Sequence, residues 1–407
     1  MKPLIIFALC SFININSFAQ TSLGKNIVGE NFRINSEILN ENREIQVFLP
    51  KDYSESSNNY PVIYLLDGQR LFLHGVSLYQ SLVEFKLTPE FIVVGITNVQ
   101  SNRMLIFSAK AGDFSNYLEK EVVPFIDSRF RTSNKRLLYG WAYAGGFGLE
   151  TFMAKPKLFD GFIISSPFPV SSKMERFSAF LSKNKTLDTF LYFSSDINEF
   201  GVKEGTEKLN TFLTNNTETK LRWHFRELVG EDHGSTPYAT LYHGLKEYFE
   251  NYREISFKDL KEFNKKGGMM FVKDYYNKRS KLYSLPNEMS VFTKYSLTRL
   301  AIRADNYNQF DAFVNGFKNN EFISVLRINW ACSIAEFYLK NNKYKKAIEM
   351  YSFIADNNPK SSRPLNGLGD SYLGNGEKKA ALKAYKKSIS INSNQPELTT
   401  KIESLSN

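Results

Sequence analysis

Five short apolar runs constrain this chain more than anything else in it. They are Tyr60–Leu66, closed by Asp67-Gly68, then Phe91–Ile96, Leu137–Gly140, Gly161–Ser165 and Phe190–Ser194. Each is apolar at successive positions rather than alternate ones, so both of its faces must be covered, which is the situation of a central parallel strand. Leu221–Leu228 alternates and makes a further strand, and Glu44–Leu49 is a strand that stops at Pro50. Amphipathic stretches lie between the runs, at Phe114–Asp127, Gly205–Leu213 and Pro237–Tyr252. Strands alternating with helices predict an α/β domain over residues 25–255, a mostly parallel sheet with helices on both faces.

One junction in that pattern carries chemistry. Arg136–Gly148 has a strand-like run, a tight turn of small residues, and then a helical run. This is the layout of a nucleophile elbow, in which a G-x-S-x-G turn lifts a serine to the tip. Here the five positions read Gly140-Trp141-Ala142-Tyr143-Ala144. The tip is alanine, and alanine also replaces the second glycine. Alanine has no oxygen with which to attack. Losing a serine nucleophile costs about 10⁶-fold in turnover, leaving roughly 10³–10⁴ over water. Tyr143, Ser165, Ser166 and Ser235 lie near in sequence, but none sits at an elbow tip.

Residues 28–250 resemble the α/β-hydrolase putative esterase family, which includes the enterobactin-type siderophore esterases and esterase D. The resemblance rests on Tyr60–Gly68 with Phe72-Leu73-His74, Val94–Asn98, Glu121–Asp127, the elbow, Phe159–Pro167 and Gly230–Pro237. It implies an α/β-hydrolase fold with the catalytic order nucleophile, acid, histidine. His233, in the polar turn Asp232-His233-Gly234-Ser235, takes the histidine position. The acid belongs after the run ending at Ser194, where Asp196 and Glu199 are both available, with Glu199 fitting the family pattern slightly better. The oxyanion donors would be the backbone N–H of Tyr143 and a second from the loop after Asp67-Gly68, near Gln69.

The tail differs. Leu368, Gly369, Tyr372, Ala381, Tyr385 and Ser388 stand at tetratricopeptide (TPR) spacing, and one repeat length earlier (about 34 residues) Ile334, Ala335, Tyr338, Ala347, Tyr351 and Ile354 fall in register. A third shift reaches Leu300, Phe313 and Phe317, a degenerate unit with Phe313 in place of a small residue. Since about three repeats make a stable stack, residues 290–395 are expected to form an all-α TPR-like module, with 256–289, carrying some helix, connecting it to the first domain.

Residues 1–20 have a lysine at position 2, a short apolar core from Leu4, and a small-residue cleavage site at Ser17-Phe18-Ala19, as a secretory signal does. The chain is therefore expected to be exported, periplasmic or secreted, with no transmembrane span after signal removal. Its net charge is +10, which Lys-rich helix faces such as Lys340–Lys346 supply. No basic block is interleaved with aromatic residues, so nucleic acid is not an expected partner. His74, His224, His233 and His243 form no metal-binding spacing, and no metal or cofactor is expected. The sequence therefore reads as an esterase-like protein without its nucleophile, holding an ester-, peptide- or siderophore-like ligand and a protein partner through the TPR module. The alternatives are a working carboxylic-ester hydrolase with a non-standard nucleophile or with water activated by His233, and a TPR-based interaction scaffold.

Overall fold

The computed structural model describes residues 27–98, 102–216, 218–317 and 321–406. The secretory signal read at residues 1–20 lies outside the described residues. The chain divides into two compact units. One runs up to Ser81 and resumes over Glu90–Gly244, and the other comprises Leu82–Pro89 with the chain from Leu245 onward.

The first unit is built on one eight-stranded sheet: β1 (Glu30–Ser36), β2 (Glu41–Phe48), β3 (Tyr60–Leu66), β4 (Ile92–Ile96), β5 (Thr132–Trp141), β6 (Gly161–Ser165), β7 (Phe190–Ser195) and β8 (Arg222–Glu227). Their spatial order is β1-β2-β4-β3-β5-β6-β7-β8. β1 and β2 run antiparallel to their neighbours, and all pairs from β4 to β8 are parallel. The five apolar runs are the five central strands. Every residue of β4, β6 and β7 is buried, whereas β1 and β2 keep buried and exposed positions in alternation. Sequence pattern and layer agree because a strand covered by helices on both sides has no face to give to water.

Helices diverge more from expectation. The predicted Phe114–Asp127 helix is one path in three pieces, Ala111–Tyr117, a π turn at Leu118–Val122, and Val123–Arg129. A helix that the periodicity reading passed over, Gly68–Glu84, follows β3 directly. Its start is packed tightly: a Cβ on Gly68 would lie 2.6 Å from the backbone of Gly95.

In the second unit, the stretch read as a connector contains two helices, Leu260–Lys265 and Gly268–Tyr283. Paired helices follow: Val291–Arg303 with Tyr307–Gly316, Ile328–Lys340 with Tyr344–Asn357, and Arg363–Gly374 with Lys378–Ile391. Pro396–Ser406 closes the unit. Ser290 and Asn306 cap their helices by accepting from the N–H of Thr293 and Gln309, at 3.2 and 3.0 Å. Ala335, Ala347 and Ala381 are fully buried at the crossings, and Tyr338, Tyr351 and Tyr385 fill the space between helices. Gly369 sits so close to the Tyr385 ring that a Cβ would meet it at 2.1 Å. The degenerate upstream pair packs Leu300, Phe313 and Phe317 into one core with Ala335, Ala347, Tyr338 and Tyr351.

Candidate functional site

The site lies at the carboxyl ends of β3, β5, β6 and β7, where an open parallel sheet places its ligands. β5 ends at Trp141 and the helix Tyr143–Ala154 begins two residues later. Ala142 makes the whole turn between them, at φ 56° and ψ −119°. That backbone is unfavourable for an L-residue, by roughly 1 kcal/mol or more, and its surroundings enforce it. The Ala142 N–H donates to the Ser165 carbonyl at 3.0 Å, and its carbonyl accepts from the N–H groups of Gly146 at 2.9 Å and Phe168 at 3.1 Å. Glycines permit the close approach: a Cβ on Gly140 would lie 2.4 Å from the Ala144 carbonyl oxygen, and one on Gly146 2.2 Å from that of Phe168. The methyl of Ala144 is fully buried in this packing, and the elbow bend is present with it.

His233 and Glu199 come together. His233 Nδ1 lies 2.6 Å from Glu199 Oε1. The carboxylate can only accept, so Nδ1–H donates, and Nε2 is left on the far side of the ring. Glu199 is buried and further held: its Oε2 accepts from the Ser166 hydroxyl at 2.7 Å and from the Asp196 N–H at 2.8 Å. The His233 ring is half-exposed and lies against Trp141, with ring centroids 4.9 Å apart. Its turn is fixed by reciprocal bonds: Asp232 N–H to Ser235 Oγ and Ser235 N–H to Asp232 Oδ1, both 2.8 Å. Hydrogen bonds from the Ser235 backbone and then its hydroxyl hold the Asp232 carboxyl below its ordinary range.

Of the two carboxylates left open by the sequence, Glu199 reaches the histidine. Asp196 instead accepts the Asn198 N–H at 2.8 Å and lends Glu199 its own N–H. The serines near in sequence are committed elsewhere. Ser166 is fully buried and bonded to Glu199 and to Thr236 Oγ1, at 2.8 Å for the latter. Ser165 is fully buried against Thr240, and Ser235 is used within its own turn.

Tyr143 opens its helix, where backbone N–H groups have no intrahelical acceptor. Gln69 is placed differently from the sequence expectation. It stands in the first turn of Gly68–Glu84 rather than in a loop, and its side-chain oxygen accepts the Asn98 N–H at 2.9 Å. It lines a smaller hollow, of about 260 Å³, that shares Arg70 with the elbow cleft.

The sequence reading also missed the support beneath the elbow. Asp67, fully buried at φ 59°, accepts from Arg103 Nε and Nη2 at 2.9 and 2.7 Å. Arg103 Nη2 also donates to the Trp141 carbonyl at 3.0 Å. The pair ties the end of β3 to the residue before the elbow tip. An Asp-Gly pair closing an apolar strand was a visible signal for Asp67, while Arg103 had none.

These residues surround an open cleft of about 690 Å³, with Ala142 and His233 in its wall and Tyr143, Phe168 and Phe200 among its apolar contributors. The arrangement supplies a buried acid, a histidine oriented by it, and first-turn backbone amides. The side chain at the attacking position is a methyl group.

Fold and site together define an α/β-hydrolase-type domain of the serine-esterase layout. Residues 36–236 match the Putative esterase family and residues 362–395 a tetratricopeptide repeat. The first unit carries a Putative esterase domain, and the second carries a TPR repeat. An IroE-like serine hydrolase from Shewanella oneidensis is similar at 23% identity and TM-score 0.53, over 70% of this chain and 98% of that one. An uncharacterised protein from Capnocytophaga ochracea is similar at 16% identity and TM-score 0.57, over 93% of this chain and 99% of that one, so it follows the fold through both units. The uncharacterized protein YbbA of Bacillus subtilis is 22% identical over 134 residues, 29% of this chain. The chain spans about half, 54%, of the length of that curated relative. Among the described residues, no helix is long and apolar enough to cross a membrane.

Proposed function

We propose that this chain is an exported esterase-family protein that binds an ester- or siderophore-like ligand in the elbow cleft without turning it over, and engages a protein partner through its TPR module. The observation that carries the reading is the methyl group at the elbow tip, in a bend that keeps its strained backbone, beside a His233–Glu199 pair at 2.6 Å. Without an oxygen at that point the acyl-enzyme route has no first step. What is left binds: a cleft with apolar walls, a histidine with one nitrogen unassigned, and a helix N-terminus. The reading of export rests on the residue pattern of positions 1–20.

Purified protein assayed on short acyl esters is expected to show no turnover above a His233→Ala control, while ester-analogue binding measured by calorimetry persists. Robust parent turnover that is lost in His233→Ala would defeat this reading. It would favour the second one, in which His233 backed by Glu199 deprotonates water directly. The observation favouring that alternative is that Nδ1 is already donated to a buried carboxylate, the orientation a general base requires.

A further inference from the structure

The helix Lys378–Ile391 has two unlike faces. Ala381, Ala384, Tyr385 and Ser388 are buried in the second unit. Lys378, Lys379, Lys383, Lys386 and Lys387 are exposed, and the helix contains no acidic residue. At about 100° per residue, Lys379, Lys383, Lys386 and Lys387 share roughly 100° of arc, opposite the buried stripe. Over Lys378–Lys387 the row is about 14 Å long.

Three other lysines of the second unit are neutralised. Lys340 pairs with Asp305 at 2.6 Å, Lys346 with Asp311 at 2.5 Å, and Lys401 with Asp370. Among the described residues, none of the five on this helix has an ion pair. Keeping several like charges together costs repulsion and adds nothing to the fold, so the face is suited to a negative counterpart.

We propose that this face docks on an anionic lipid bilayer, through lipid phosphates. The shape argues for a plane. The lysines stand on the outward side of one helix rather than in a groove that would track a nucleic-acid strand, and no exposed aromatic residue accompanies them on the helix to stack a base. No large apolar side chain is exposed on it either, so the contact is adsorption at the headgroups without insertion.

Each lysine near such a surface adds about fivefold to partitioning. The test is co-sedimentation of the full chain with phosphatidylglycerol/phosphatidylcholine vesicles and with pure phosphatidylcholine vesicles. Wild type is compared with the quadruple variant K379Q/K383Q/K386Q/K387Q and its glutamate counterpart. Circular dichroism checks that both variants keep the native helix content and melting temperature. Expected is binding to the anionic vesicles that falls with added salt, at least a hundredfold loss in the glutamine variant, a larger loss in the glutamate variant, and no difference between the proteins on neutral vesicles. Three results overturn the proposal: folded variants that bind anionic vesicles as wild type does, wild-type binding equal on the two vesicle types, or tighter lysine-dependent binding to polyuridylate than to vesicles.

Discussion

Ala142→Ser puts the reasoning about the elbow to its sharpest test. The bend at position 142 is already at φ 56° and is held by three backbone hydrogen bonds of 2.9–3.1 Å. A serine side chain there adds one oxygen to an existing Cβ and asks nothing new of the backbone. The His233–Glu199 pair is formed at 2.6 Å. The ceiling on the gain is the cost of removing such a nucleophile, about 10⁶-fold. Misplacement by about 1 Å costs roughly 10²-fold, and the buried methyl of Ala144 in the place of glycine is the specific reason to subtract it. The expectation is therefore a gain of about 10⁴-fold over the parent, or about 5 kcal/mol of barrier. The assay is hydrolysis of p-nitrophenyl acetate and butyrate at neutral pH. A fluorophosphonate probe reports covalently on the introduced hydroxyl, and Ala142→Ser with His233→Ala serves as the control that should lose the gain. A folded variant that neither hydrolyses these esters nor takes the probe would refute the claim that the elbow and its histidine are in working register. Equal turnover by parent and variant would refute the claim that the missing oxygen matters.

Other outcomes follow from packing and ionisation. Gly146→Ala drives a Cβ to 2.2 Å from the Phe168 carbonyl oxygen; since that neighbour is backbone, the cost is expected at about 3 kcal/mol, read as a loss of roughly 6–12 °C in the melting of the first unit. Burial lowers the pKa of His74, partly offset by its bond to the Tyr238 carbonyl. A histidine that resists protonation when folded contributes stability that is complete above its unfolded pKa, about 6.5, and is lost as pH falls below it. Melting temperatures taken from pH 7.5 down to 5 should therefore decline less in His74→Gln than in the parent. Cys332 is fully buried, and burial pushes its thiol up to about 11; mass spectrometry after iodoacetamide treatment at pH 8 should find it unmodified in native protein and modified in guanidinium.

How much could be read from the residues depended on the kind of contact involved. The central strands were visible because burial on both faces is written into consecutive residues such as Ile92–Ile96. The elbow was visible because strand, tight turn and helix follow one another within Arg136–Gly148. Glu199 was only slightly favoured over Asp196, because both lie in one short loop and the path of the chain decides which carboxylate turns toward His233. Arg103 was invisible for a related reason. Its partners, Asp67 and the Trp141 carbonyl, are 36 and 38 residues away, and a single arginine before a short helix carries no periodic signal. Ser166 shows the reverse case. Its place at a strand end marks it as a candidate stand-in nucleophile, but its hydroxyl is spent holding Glu199. The connecting segment was expected to hold some helix; its two helices are separated by Gly267, at φ 106°, the left-handed residue just before Gly268–Tyr283.

The hydrogen bonds of Ala142 itself run entirely through backbone atoms, and the close contacts around it are made by glycines. No side-chain atom of residue 142 takes part in the bend. The shape of this site is thus uncoupled from the reagent mounted on it, and the tip behaves as an interchangeable fitting. Alanine GCN and serine TCN codons differ by one base, so the hydroxyl can be lost or regained without refolding. A substitution at position 142 thus changes the reagent while leaving the bend in place, and the unfavourable turn at Ala142 is the standing cost of that scaffold.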